Sequence, residues 1–346
     1  MRVEAIKLEG NQPVNLTGLD ADDVLALVQS SYFTWIDIHL DSSSGPELHA
    51  LLVDRLDFHP ATVEDCLQEG SFHQPKIDEE QDYRFATFIY YEHRKGVKLL
   101  ARELNVYFSA TYVITVHRHT CEELLAQIRK FPRVITDYEQ RAVLFMHHVL
   151  DMVIDSFAIV LHDFSQLSEQ LEIAVLKAKR LKKLTGPLFR RPKDQLSDMR
   201  GILKLRRSLV RLRRTLVEEE LIVDALVDEY DYDDAPEESK EIAIYFRDVS
   251  DHIGKYLEII EGLESTMNHL MEVHALITSH RTNEIIYLLT IVSAIMLPLN
   301  LIVGFFGMNF DNLWLTHNWW GIWTVTLLMV GIVFMLFFFF RAKEWI

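Results

Sequence analysis

Seven residues of one apolar stretch stand at alternating three- and four-residue intervals: Asn283, Ile286, Thr290, Ser293, Leu297, Asn300 and Gly304. On a helix this spacing makes one seam. The seam collects nearly every polar or small side chain of the stretch, whose other faces carry Ile285, Leu288, Ile291, Val292, Ile295, Leu299, Ile302 and Val303. Asn300 placed in hydrocarbon costs several kcal/mol unless it is satisfied. A single copy gains little from such a stripe. Several copies around an axis turn it into a water-lined path for ions. Ile286 and Leu297 on the same seam would then form apolar rings that gate by dewetting. The alternative is that the small residues of the stripe pack helix on helix. Just beyond stand Gly307, Met308 and Asn309. A glycine there can take left-handed dihedrals and stop the helix, which would present backbone carbonyls and the Asn309 amide oxygen at a pore mouth. A ring of neutral oxygens suits Mg²⁺, which gives up its water reluctantly.

Other constellations carry less. Glu272 lies three turns before Asn283 on a similar face, placed for an acidic ring or an ordinary solvated charge. His117, His119 and Cys121 alternate, so in a strand they would share a face and offer transition-metal ligands. No second cluster with zinc-like spacing accompanies them. His317 stands where it would touch an incoming soft metal. The basic run 177–193 and the acidic run 218–241 read as solvated faces with mutual ion pairs. There is no GxSxG, P-loop or GxGxxG pattern, so neither an enzyme nor an ATP-driven pump is expected and flux would be passive. The net charge of −16 argues against a nucleic-acid partner and suits a cation-binding protein.

The elements that must position these residues follow from hydropathy. Residues 285–306 and 319–340 contain no charged side chain. Each run is long enough to cross a bilayer, which takes about 20 residues. The short polar link between them allows only a helical hairpin. Arg281 before it, and Arg341 and Lys343 after it, place both open ends on the cytoplasmic side. The N-terminus lacks the apolar core of a signal peptide. Cys66 and Cys121 form no disulfide framework. In the first third, residues 33–38, 84–91, 97–108 and 112–116 are β-branched and aromatic. They predict strands, the last three an antiparallel meander with turns at 94–96 and 109–110. Residues 20–29, 46–56 and 60–68 predict helices on its faces. From about residue 140 the pattern becomes helical: 140–184, then 193–228, then one helix from about 237 running into the first span. The expected division is 1–136, an α/β cytoplasmic domain; 137–282, long helices and stalk; 283–306, first membrane helix; 307–318, external loop; 319–340, second membrane helix; and 341–346, cytoplasmic tail.

The Gly307-Met308-Asn309 motif, placed after the penultimate apolar span and Pro298, resembles the signature of the CorA family of magnesium and cobalt channels. Trp35-Ile36-Asp37, His59-Pro60 through Glu64-Asp65 and Gln74-Pro75-Lys76 resemble that family's cytoplasmic domain, and Tyr245 to Val249 and Thr282-Asn283-Glu284 its stalk. The resemblance covers essentially the whole chain. It implies an α+β cytoplasmic domain, long stalk helices and two C-terminal transmembrane helices in a funnel-shaped homopentamer. The protein would sit in the cell's inner membrane, with both termini cytoplasmic and the first membrane helix lining the pore. It implies Mg²⁺ as substrate, with Co²⁺ or Ni²⁺ also carried, and a divalent cation as regulator. It also implies a regulatory metal site between subunits at Asp65 and Asp248, with Glu64 beside them. The sequence departs from the family after the motif, where 311–315 holds one acid, Asp311, and in a weakly basic tail. The related ZntB-type zinc transporters also lack the loop acids but usually carry Val at Met308, so Zn²⁺ stays open as the ion.

Overall fold

Strands buried at nearly every position, and so covered on both faces, build the centre of the sheet. The computed structural model describes residues 1–9, 12–68, 74–92, 99–119, 126, 130, 141–185, 192–232, 235–308 and 319–343. Strands β1 (Arg2–Glu9) and β2 (Gln12–Thr17) form an antiparallel hairpin. They are followed by β3 (Thr34–His39), β4 (Lys76–Glu79), β5 (Arg84–Glu92), β6 (Leu100–Phe108) and β7 (Tyr112–His117). The order is β2-β1-β3-β7-β6-β5-β4. Only β3 and β7 pair in parallel among these strands. The expected meander is β5-β6-β7, with its turn at 94–96 outside the described residues. The β1–β2 hairpin and β4 are additions the sequence reading did not contain.

Short helices cover one face. Helix α1 (Ala21–Val28) starts at Asp20, whose carboxylate accepts from the Asp22 and Asp23 N–H groups in a capping box. Helix α2 (Gly45–His49) runs into a π-helical turn (Ala50–Arg55). Helix α3 (Pro60–Leu67) has proline in its first turn, where a missing N–H costs nothing. Val24, Leu48, Leu52 and Val63 close a core with Ile36, Ile38, Ile114 and Val116 of the sheet. The opposite face packs on helix α4 (Arg141–Thr185), with Trp35 and Phe33 against Phe145, and α4 also meets β5, where Ser156 Oγ accepts from the Tyr91 N–H at 3.0 Å and Phe157 packs on Tyr91.

Three further helices follow among the described residues: α5 (Pro192–Tyr230), α6 (Glu237–Phe306) and α7 (Trp319–Ala342). The chain divides into two units, Met1–Ile173 with Ser197–His269, and Ala174–Leu196 with Leu270–Ile346. By length and composition α4, α6 and α7 are all apolar enough to cross a membrane. Burial separates them. Half of the apolar window of α4 is buried, against 6% in α6 and none in α7. Apolar side chains of α4 are used in the domain core, whereas those in the apolar windows of the last two helices are left almost entirely uncovered.

Candidate functional site

Helix α6 carries the seam, and all seven of its residues, from Asn283 to Gly304, are exposed. Leu297 is 75% and Ile286 54% exposed, while Ile291, Ala294, Ile295, Pro298 and Ile302 on a different stripe are half-buried. The seam is therefore a face the chain does not cover. The Thr290 hydroxyl donates to its own helix at the Ile286 carbonyl, 2.8 Å away, so it needs no outside partner. Pro298 lies inside α6, and without an N–H it leaves the Ala294 carbonyl without its helical partner. Glu272 is exposed on the same helix.

The helix ends at Phe306, but not through a left-handed glycine as the sequence suggested. Among the described glycines only Gly18 has a positive φ. What Gly307 supplies is the lack of a side chain. A Cβ there would stand 3.0 Å from the Val303 carbonyl oxygen, to which the Gly307 N–H donates at 2.9 Å. Met308 is exposed and its N–H points to the Phe305 carbonyl at 3.4 Å. Asn309, Asp311 and His317 lie outside the described residues.

The three proposed regulatory acids are on two elements. Glu64 and Asp65 sit on α3, Asp248 on α6. Glu64 and Asp248 are exposed, whereas Asp65 is largely covered and ion-paired with Lys76 at 2.8 Å. Lys76 also holds Asp78 at 2.6 Å.

A neighbouring cluster was missed from the sequence. Asp151 and Asp155 of α4 and His252 of α6 each offer a ligand atom within 4.8 Å of the others. His252 Nδ1 lies 3.6 Å from Asp151, and the Tyr256 hydroxyl donates to Asp155 at 3.2 Å. Burial, with Asp151 close by, raises the pKa of Asp155. Burial also lowers that of His147, which feels Asp151, Asp248 and His252 together. Such a trio can hold a divalent cation, whose charge would remove the repulsion between the carboxylates. The signal was present as two i, i+4 pairs, Asp151 with Asp155 and Asp248 with His252, each on one helical face.

His117 and His119 do not share a strand face, because β7 ends at His117. His117 is buried and lies 3.1 Å from Asp37, and His119 is exposed beyond the strand. Cys121 lies outside the described residues, and Cys66 is a buried free thiol. The basic run falls largely outside the described side chains.

Comparison with known proteins extends across the two units. The family described as CorA-like Mg²⁺ transporter protein matches residues 30–342. The chain is 28% identical over 315 residues to YfjQ of Bacillus subtilis, covering 90% of this chain and 89% of that protein. It is 25% identical over 332 residues to the cobalt/magnesium transport protein CorA of Thermotoga maritima, covering 94% and 87%. The complete structure of the CorA magnesium transporter from Methanocaldococcus jannaschii superposes with a TM-score of 0.77 at 19% identity, covering 100% of this chain and 99% of that one. The chain thus has a CorA-like fold, an α+β domain with long helices and a C-terminal apolar helix. With strands β3 to β7, the long helices and the exposed seam all inside the matched region, this chain belongs to the CorA-like Mg²⁺ transporter family.

Proposed function

We propose that the protein is a homopentameric channel that lets divalent cations, Mg²⁺ first among them, enter the cell passively. The observation that carries this reading is the exposed polar seam on the otherwise apolar C-terminal stretch of α6, residues 285–306. Helices α6 and α7 cross the membrane as a hairpin, with Arg281 and Arg341 on the cytoplasmic side. Five copies of the seam face one another and keep Asn283, Thr290, Ser293 and Asn300 in water. Ile286 and Leu297 make the apolar rings that dry and close the path. Gly307 lets the chain turn tightly after Phe306, and the Asn309 amides of five copies bind the ion through its water shell.

The carboxylates of the large domain act as the brake. A cation held by Asp151, Asp155 and His252, or between Asp248 of one copy and Glu64 and Asp65 of the next, favours the closed ring by mass action. Cation binding at Asp65 must displace Lys76, which falls back on Asp78. When internal Mg²⁺ falls, carboxylate repulsion loosens the ring.

The test is flux into liposomes loaded with a Mg²⁺ dye, repeated with Co²⁺, Ni²⁺ and Zn²⁺. Mg²⁺ entry in the wild type, reduced at least about tenfold in an assembled Asn309→Ala protein, is the expected result. Wild-type flux in that variant overturns the selectivity assignment, and Zn²⁺ entry without Mg²⁺ entry overturns the choice of ion.

A further inference from the structure

Strands β3 and β7 run parallel, and the described helices that follow them pack on opposite faces of the sheet. After β3 it enters α2 on the face of Ile36 and Ile38. The helix that follows β7 among the described elements, α4, packs on the face of Trp35. In open sheets, the crevice beyond the carboxyl ends of two such strands is where ligands bind. Here it holds a cavity of about 810 Å³ lined by His39, Asp41, Glu103, His117 and His119 among others.

His39 and His117 are register partners at those carboxyl ends. Their Nδ1 atoms face each other at 3.5 Å, with ring centroids 5.2 Å apart. The far side of His117 is fixed. Its Nε2 lies 3.1 Å from Asp37 Oδ1, which also accepts from the Thr115 hydroxyl at 2.6 Å. Thr115 in turn accepts from the Trp35 indole at 3.0 Å. The carboxylate draws the proton to His117 Nε2 and leaves the Nδ1 lone pair directed at His39, the orienting arrangement that metal-bound histidines use. His39 Nε2 is 3.9 Å from Asp41 Oδ1, so it too has a carboxylate on its far side.

A single proton shared between the two Nδ1 atoms makes only a long contact at 3.5 Å. A metal ion fits the same gap better. With metal–nitrogen bonds of about 2.05 Å, two nitrogens 3.5 Å apart subtend roughly 117° at the metal, close to the tetrahedral range. We infer that His39 and His117 bind a borderline transition-metal ion of the Zn²⁺ or Co²⁺ class in this cavity, with Asp37 orienting His117. His119, lining the same cavity, and water complete the shell. Two imidazoles exclude Mg²⁺, which prefers oxygen ligands. Cys66 is not a ligand: burial pushes its thiol to about 12 and it contacts the Tyr107 hydroxyl at 3.5 Å. The cationic neighbours are engaged elsewhere, Arg102 with Glu92 at 2.9 Å and Arg118 with the Leu67 carbonyl at 2.6 Å. The site does not depend on the transport reading, since every residue in it belongs to the large domain.

The test uses full-length protein in detergent with saturating Mg²⁺, so that oxygen-rich sites are filled. Zn²⁺ is titrated against a chelator, and Co²⁺ is followed by its visible d–d bands. One Zn²⁺ per chain is expected in the presence of Mg²⁺. Its affinity should fall about 10- to 100-fold in Asp37→Asn and at least as far in His39→Gln, with loss of the Co²⁺ bands. His117→Gln alters a buried position and can fail to fold. His39 is more accessible, so His39→Gln with unchanged circular dichroism and elution volume decides. His252→Gln and Asp248→Asn should keep the Zn²⁺ site, which separates it from the carboxylate cluster. No Mg²⁺-resistant Zn²⁺ binding in the wild type, or equal binding in a folded His39→Gln protein, overturns the assignment.

Discussion

Leu297 and Ile295 are two residues apart on α6 and have opposite surroundings, the first 75% exposed and the second half-buried. If the seam faces the axis, the Leu297 ring expels water when the helices close, and a hydrated divalent ion cannot cross it. Leu297→Ser should keep that ring wet. Flux at high internal Mg²⁺ should rise at least about tenfold over the wild type. Ile295→Ser should instead lower the yield of assembled protein. Equal effects of the two substitutions, measured as flux per assembled oligomer, would remove Leu297 from the pore. The contrast was legible in the sequence because all seven seam residues belong to one helix, where a period of 3.6 fixes the face. Gly307 was legible as a helix end but not in its reason, since close approach to Val303 O is a property of the packed turn. The His39–His117 pair was not legible, although His117 by itself was a candidate ligand beside His119. Its two members are joined by a parallel register between strands far apart in sequence, which no local pattern encodes.

At the scale of elements, the long helices were read within a few residues of their ends, because breakers flank them: Gly186 and Pro187 lie between α4 and α5, and Pro236 precedes α6. The β1–β2 hairpin escaped. Lys7 and Glu9 interrupt its apolar alternation, and Pro13 lies in β2, tolerated because β2 is an edge strand. How α5 meets the sheet was also invisible. Glu219 is fully buried there, and its Oε1 accepts from the Ile89 N–H of β5 at 2.8 Å. Its Oε2 has no partner among the described residues. Burial raises this carboxyl well above its ordinary 4.5. The folded state therefore favours the proton. The stability this contributes is complete below about 4.5 and is lost as pH rises through the raised value. Glu219→Gln mimics the neutral acid and removes the titration. Thermal unfolding in detergent should show the variant gaining on the wild type by about 2–4 °C between acid and neutral pH. Parallel curves for the two proteins would mean that Glu219 is ionised at no cost in the fold.

For the whole molecule, the proposed channel requires that a cation on the large domain govern the pore. Helix α6 carries Asp248 and His252 near its start and the seam near its end, with Glu272 in between. A cation that ties His252 to Asp151 and Asp155 fixes α6 against α4. In the proposed ring, one bridging Asp248 to the next copy's Asp65 would tie neighbours together. Both act only through preference for the closed ring, so removing them should shift the balance without touching the pore. Asp65 alone is the weaker lever. Its carboxylate already faces Lys76, so Asp65→Asn removes a paired charge and frees Lys76 for Asp78. Asp248 is exposed, and Asp248→Asn removes an acid that only a cation or a neighbouring copy would cover. The order expected is therefore a small effect for Asp65→Asn, a larger one for Asp248→Asn, and the largest for Asp248→Asn with Asp151→Asn. In the last variant, the internal Mg²⁺ needed for half-inhibition of liposome flux should rise at least about tenfold, with flux at zero internal Mg²⁺ unchanged. Protection of the large domain from limited proteolysis by Mg²⁺ should weaken in the same order. If inhibition and protection stay at wild-type Mg²⁺ in the Asp151→Asn, Asp248→Asn protein, these acids are surface charges and the brake lies elsewhere.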